Sequence, residues 1–221
     1  MKSMGVHARA IFPRHDLAYI GLPLGACVLL EAKQPLDTLL VPYADDPGLR
    51  RLRRRVTPDQ LVCGDVDAAL QRCLDRGVHR ALMWYWPRKL PERFVQALDI
   101  FAIHPSLLPR WPGPDPFFWA IAAGDSHTGI SVYRVTAELD AGPIAYQARI
   151  RVRADDTALS LSRRLDRLSL ALLPQLAAEI RAERLATEAQ PSSPKRPPWA
   201  RMPNENDLRV DWEAPAEEIL R

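Results

Sequence analysis

Cysteine is scarce in this sequence: Cys27, Cys63 and Cys73 stand far apart, with no CxxC pair. That disfavours a disulfide framework or a thiolate zinc site and fits a reducing compartment, so a cytoplasmic location is expected. Long apolar runs are also lacking, and none reaches the ~18 residues a membrane span needs. The nearest is LAYIGLPLGACVLLEA, Leu17 to Ala32, which follows a basic start and mimics a secretion signal. Asp16 before it and Pro23 within it argue against that, and a buried first helix is the expected reading. None of the five histidines falls in an HxxxH or HExxH pattern, which disfavours a zinc hydrolase, and no metal site is expected. There is no GxSxG elbow, no P-loop and no GxGxxG after the first strand, so the usual nucleotide-cofactor readings lack support. The net charge of +3 suits anionic ligands without indicating nucleic acid.

What the chain does have is alternation. Its 221 residues are 47% hydrophobic, enough for one large domain or a domain plus a tail. ARAIF (8–12), LDTLLV (36–41), RALMWYW (80–86) and DIFAI (99–103) read as strands, with helices at 17–32, 65–76 and 91–98 between them. Continuous apolar strands with intervening helices predict an α/β, doubly wound, mostly parallel sheet. Further on, 115–124 reads as a short helix and 127–135 and 143–152 as two strands. A long helix starts near Thr157, capped by Asp155 or Asp156 and bent at Pro174. From Gln190 the composition turns proline-rich, which divides the chain into a domain over 1–189 and a strap or linker over 190–221. Its end, DLRVDWEAPAEEILR, reads as a short strand and the start of a helix.

Two residues stand out for chemistry. His104 falls at the carboxyl end of a predicted central strand, where open α/β sheets bind ligands. Asp140 lies in TAELDAGPI, a loop between two predicted strands. A carboxylate beside an imidazole orients it and suits it to moving protons. The plainer alternative is that His104 ends a strand and Asp140 makes a turn.

IHPSLLPRWPG followed by GDSHTGISVYRVTAELDAGPI resembles the formyltransferase family that uses 10-formyltetrahydrofolate. The HxSLLP loop, the GD-x-x-TG run and the LDAG loop occur in order and at family-like spacing. AIFPRHDLAYIG resembles the first strand and turn of sugar-amine formyltransferases. RVDWEAPAEEILR resembles the strap of the methionyl-tRNA and UDP-aminoarabinose enzymes, and WPG is closer to glycinamide-ribonucleotide formyltransferases. The resemblance implies a Rossmann-like catalytic domain that transfers a formyl group to an amine of a small or nucleotide-linked substrate. It makes His104 the catalytic histidine and Asp140 its partner. It places the folate at Trp86, Pro87 and Arg88 on one wall and at Thr136, Ala137, Glu138 and Leu139 on the other. The tRNA enzymes carry a further carboxy-terminal barrel, so tRNA is not the expected substrate. No membrane partner is expected.

The family's third catalytic group is an asparagine two residues before the histidine, and here that position is Ala102. Alternation along a strand puts 102 and 104 on one side, so a methyl faces the site. Losing one oxyanion donor typically costs ~2.7–4 kcal/mol. Asn204 and Asn206 are candidate substitutes. A folate-binding pseudoenzyme and a 10-formyltetrahydrofolate hydrolase are the alternative readings. LRRLRRR, Leu49 to Arg55, reads as a solvated face, with a phosphate or nucleic-acid contact as the sharper alternative. Trp199 and Trp212 read as strap anchors packed on the core.

Overall fold

The computed structural model describes residues 16–191 and 198–219. The strand predicted at 8–12 lies outside them. Among the described residues, seven strands form one sheet: β1 (Leu17–Gly21), β2 (Leu39–Val41), β3 (Leu61–Cys63), β4 (Arg80–Trp84), β5 (Asp99–His104), β6 (His127–Arg134) and β7 (Ile144–Arg151). Their order is β3-β2-β1-β4-β5-β6-β7. The first five are parallel, while β6 and β7 run antiparallel to their neighbours. The sheet is thus mostly parallel and doubly wound, as the alternation predicts.

Alternation along the strands sorts side chains onto two faces. Leu17, Tyr19, Leu82, Trp84, Phe101 and Ile103 point to one face. They are covered by α1 (Pro23–Glu31), the short α5 (Pro116–Ala122) and the long α6 (Ala158–Arg181). On α6 Leu161, Leu165, Leu173, Leu176 and Ile180 are buried at helical spacing. Burying each such leucine contributes roughly 1.5–3 kcal/mol. Ala18, Ile20, Ala81 and Ile100 face the other way, against α3 (Val66–Asp75) and α4 (Glu92–Ala97). Ala102 and His104 continue that second face beyond α4. Two polar groups tie the layers together at Trp84, whose buried indole N–H donates to Ser169 Oγ on α6 at 2.9 Å.

The run 17–32 is not one helix. Leu17–Gly21 is a strand buried at every position, and the helix begins only at Pro23. An unbroken apolar run carries no periodicity to separate the two states. The proline settles the boundary: it disfavours helical geometry at Leu22 and is pre-set for a first helical turn. RALMWYW ends as a strand at Trp84, because Tyr85 turns with φ 52°. The cap of α6 is Thr157, in a capping box with Ser160, rather than Asp155 or Asp156. Asp156 instead accepts from Ser160 Oγ and pairs with Arg164. The short β3 and the four-residue α2 (Leu49–Leu52) carry too few residues to show a period. The predicted strand in the tail does not form. Residues 204–212 are turns and irregular chain, followed by α7 (Ala216–Ile219).

Candidate active site

β5 delivers His104 at its last residue, 6% exposed. The following loop, HPSLLPRWPG, is fastened from beneath. Ser131 Oγ, on the strand opposite, donates to Ser106 O at 2.7 Å and accepts from Leu108 N at 2.9 Å. Gln147 of β7 donates to both Ser131 Oγ and Leu108 O. The Leu108–Pro109 peptide is cis. Asp125 of the GD motif holds the loop's far end, accepting from the Arg110 guanidinium and from Trp111 Nε1. The motif's Gly129 is needed for close approach, since a Cβ there would lie 2.1 Å from Ala148 O. Much of the sequence signature is therefore scaffolding that sets the loop.

Within the loop, Trp111 adopts φ 57°, uncommon for an aromatic residue. This conformation accompanies a contact of 2.9 Å between its carbonyl and His104 Nε2. A carbonyl only accepts, so Nε2 carries a proton and Nδ1 is the free nitrogen of the neutral ring. Nδ1 stands 3.7 Å from Asp140 Oδ2. That is ion-pair range but longer than a hydrogen bond.

Asp140 reaches this point because the chain after β6 folds back over the second face. Its φ of 53° is one an aspartate tolerates better than most residues. Asp140 Oδ2 accepts from Gly113 N at 2.8 Å, and Oδ1 accepts from the Tyr133 hydroxyl at 2.8 Å. Gln190 Nε2 donates to the carbonyls of Asp140 and Gly142, closing the loop from the strap side. Burial first, then the Asp140 carboxylate, pushes the Tyr133 phenol well above its ordinary value. It therefore stays a donor through neutral and mildly alkaline pH.

The sequence-derived pair His104 and Asp140 is thus brought together. Trp86 is half-buried, with Arg88 stacked 5.0 Å over its ring, while Pro87 and Arg88 are exposed. Trp86 Nε1 is buried without a hydrogen-bond partner among the described residues. Thr136 is half-buried and Ala137, Glu138 and Leu139 are exposed along the loop to Asp140. Glu138, Leu139 and Asp140 line a cleft of about 460 Å³, closed on its other side by Pro109, Pro112, Gln190 and Trp199.

Ala102 is 2% exposed and packed among Leu108, Tyr133 and Met83. Asn204 and Asn206 do not replace the missing amide. Asn204 Oδ1 accepts from the backbone of Asn206 and Asp207 in their own exposed turn. The strap is anchored by Ala200, fully buried, rather than by its tryptophans. Ala200 N donates to Pro112 O, and Asp115 N donates to Ala200 O. Trp199 is 48% exposed at the cleft and Trp212 is 77% exposed. In the arginine run Leu49 and Leu52 are buried, Arg51 and Arg55 pair with Glu31, and Arg50, Arg53 and Arg54 are exposed beside Asp45 and Asp46. Tyr133, Gly113, the Trp111 carbonyl and Gln190 were not legible as site groups. Three of these contacts are made by backbone or depend on the β5–β6 register.

Among the described residues, no group of three or more His, Cys, Asp or Glu is placed to hold a metal ion, and no helix is long and apolar enough to cross a membrane.

Residues 50–177 match the family described as Formyl transferase. A methionyl-tRNA formyltransferase of Phenylobacterium zucineum (strain HLK1) is 36% identical over 147 residues, covering 66% of this chain and 47% of that protein. The chain spans about half the length of the curated relatives it matches. Among solved structures, the phosphoribosylglycinamide formyltransferase of Anaplasma phagocytophilum superposes with a TM-score of 0.66 at 25% identity, over 76% of this chain and 87% of that one. HypX from Aquifex aeolicus, crystallised with tetrahydrofolic acid, superposes with a TM-score of 0.65 at 15% identity, over 93% of this chain and 33% of that one.

Proposed function

We propose, from the premise that this chain belongs to the formyl transferase family, that it moves a formyl group from 10-formyltetrahydrofolate to an amine on a small or nucleotide-linked acceptor. The observation that carries this reading is the His104–Asp140 pair, brought together from the end of β5 and the loop after β6, 36 positions apart in sequence. Its groups match the demands of amine acylation, in which a proton must leave the attacking nitrogen as negative charge grows on the formyl oxygen.

His104 takes that proton at Nδ1. The resulting imidazolium is held by Asp140 Oδ2 at ion-pair range and by the Trp111 carbonyl on Nε2–H. Asp140 stays in place because Gly113 N–H and the Tyr133 hydroxyl fix both its oxygens. The donor, when bound, would supply the formyl carbon; as its bond to the folate nitrogen breaks, the proton held on His104 would pass to that departing nitrogen. The resemblance puts Trp86, Pro87 and Arg88 on one side of the donor and Thr136 to Leu139 on the other, and of these Glu138 and Leu139 line the cleft beside Asp140. The tetrahydrofolic acid in the HypX crystal structure supports the ligand class.

The test is single-turnover transfer from 10-formyltetrahydrofolate to a panel of amino sugars and nucleotide-linked amines, followed by mass spectrometry. Transfer that is lost in His104→Ala supports the reading. Absence of any formylated amine, with the same result in His104→Ala, ends it.

One observation favours a second reading. Ala102 offers no hydrogen bond and its surroundings are closed by apolar side chains. A folate-binding protein without transfer activity would show tight binding and no product. Formate released without acceptor would mark a hydrolase.

A further inference from the structure

We propose that Tyr133 is a positioning residue of this site, its hydroxyl fixing the Asp140 carboxylate against His104 from the strand beside Ala102. The proposal rests on the reading of His104 and Asp140 as the working pair.

Ala102 and His104 occupy the same face of β5. In the antiparallel pairing with β6, Tyr133 lies directly opposite Ala102, and Ser131 opposite His104. Directly opposed residues share a face, with Cβ atoms ~4.5–5.5 Å apart. The small side chain on β5 therefore meets the large one on β6. Tyr133 is 5% exposed and packs with Ala102, Leu108, Met83 and Ile144. Its ring fills the room that a longer side chain at 102 would need. Its hydroxyl emerges from this apolar cluster at one place, Asp140 Oδ1.

With Oδ1 held by Tyr133 and Oδ2 by Gly113 N, the carboxylate is fixed about its own axis. The remaining acceptor capacity of Oδ2 faces Nδ1 of His104. The ionisable groups around this carboxylate are His104 from β5, Tyr133 from β6 and Glu138 from its own loop. The Gly113 N–H comes from the loop after β5. Burial keeps the phenol protonated, as a donor must be. Tyr133 acts through Asp140 and needs no contact with substrate.

Tyr133→Phe removes the hydroxyl and keeps the ring. Imidazole 15N resonances of His104, assigned by their loss in His104→Asn, are followed against pH in both proteins. A displaced His104 titration curve is expected, and superposable curves overturn the proposal. In single-turnover transfer the variant should lose about tenfold in rate, the size of one hydrogen bond, with KM for the formyl donor within about twofold. In an Asp140→Asn background the same change should have no further effect. A raised KM with unchanged rate, or a full loss added to that of Asp140→Asn, contradicts positioning through Asp140. If the wild type transfers no formyl group, the functional reading falls while the His104 comparison still decides the role of Tyr133. Should Tyr133→Phe fail to fold, exchange of the phenolic proton in the wild type decides. Protection supports the contact, and exchange as fast as in free tyrosine refutes it.

Discussion

Replacing Gly113 with alanine tests whether strap and site are one unit. Gly113 has φ 118°, a backbone region that side chains rarely adopt. A Cβ there would meet Ala200 O at 2.8 Å and Trp199 Cε2 at 3.0 Å. The first contact is with backbone, so relief requires moving the strap or the loop. Either movement strains Gly113 N–H to Asp140 Oδ2, the 2.8 Å bond that holds the carboxylate. Backbone strain of this kind costs roughly 1–3 kcal/mol. A hydrogen bond to a charged group adds about 1.5–3 kcal/mol if it is lost. Together these amount to about 2.5–6 kcal/mol, which lowers Tm by about 5–24 °C in a chain of this size. The assay pairs a thermal melt with formyl-transfer rate and 10-formyltetrahydrofolate binding. Tm should fall in that range, with transfer reduced at least tenfold at temperatures where the variant is folded. A Tm within 1 °C of wild type, with unchanged transfer, would refute the coupling.

Other outcomes follow from individual contacts. Asp140→Asn suits the local backbone, so the protein should fold, while formyl transfer drops by roughly 10²–10⁴ for loss of proton handling; near-wild-type turnover counts against the pair. Ser169→Ala strands the buried Trp84 indole N–H and should cost about 1–3 kcal/mol in urea unfolding, whereas the double variant with Trp84→Phe should cost less than the sum of the two single changes. Burial opposes ionisation of Asp156, but Arg153 N–H, Ser160 and Arg164 outweigh it and hold the carboxyl below its usual value. Such a group stabilises the fold above the ordinary aspartate pKa, and that contribution disappears as pH falls through the lower folded value. Asp156→Asn should therefore melt earlier than wild type at pH 7, with the gap narrowing as the pH drops below about 4; a gap that is constant with pH would remove the argument.

The parallel sheet and the pairing of His104 with Asp140 could be read from the sequence. Strands buried on both faces leave continuous apolar runs; the pair was legible through the family resemblance of its two motifs, since spacing alone also allows a strand end and a turn. β1 was misread because an apolar run looks alike in a strand and a buried helix, and only Pro23 marks the join. Tyr133 was invisible for a different reason. Its neighbour is decided by the register between β5 and β6, and a shift of one residue would have sent the phenol to the opposite face. Gly113 and Trp111 contribute backbone atoms, which every residue has, so no residue-type signal marks them. Gln190 sits at the start of the proline-rich segment, where composition points to a linker and hides a side chain that clamps the Asp140 loop.

The contacts of the strap also bear on when the site comes into being. Ala200 bridges Pro112 and Asp115, and Trp119 donates to Arg201 O across 82 positions of sequence. Contacts between such distant segments close large loops and are entropically costly to form early. The β1–β4–β5 core can gather before they are made. The 111–115 loop, and with it the carbonyl on His104 and the amide on Asp140, then gains its final support only when residues 199–201 arrive. Maturation of the site is expected as a late kinetic step, separable from collapse of the sheet in a refolding experiment that follows secondary structure and folate binding side by side.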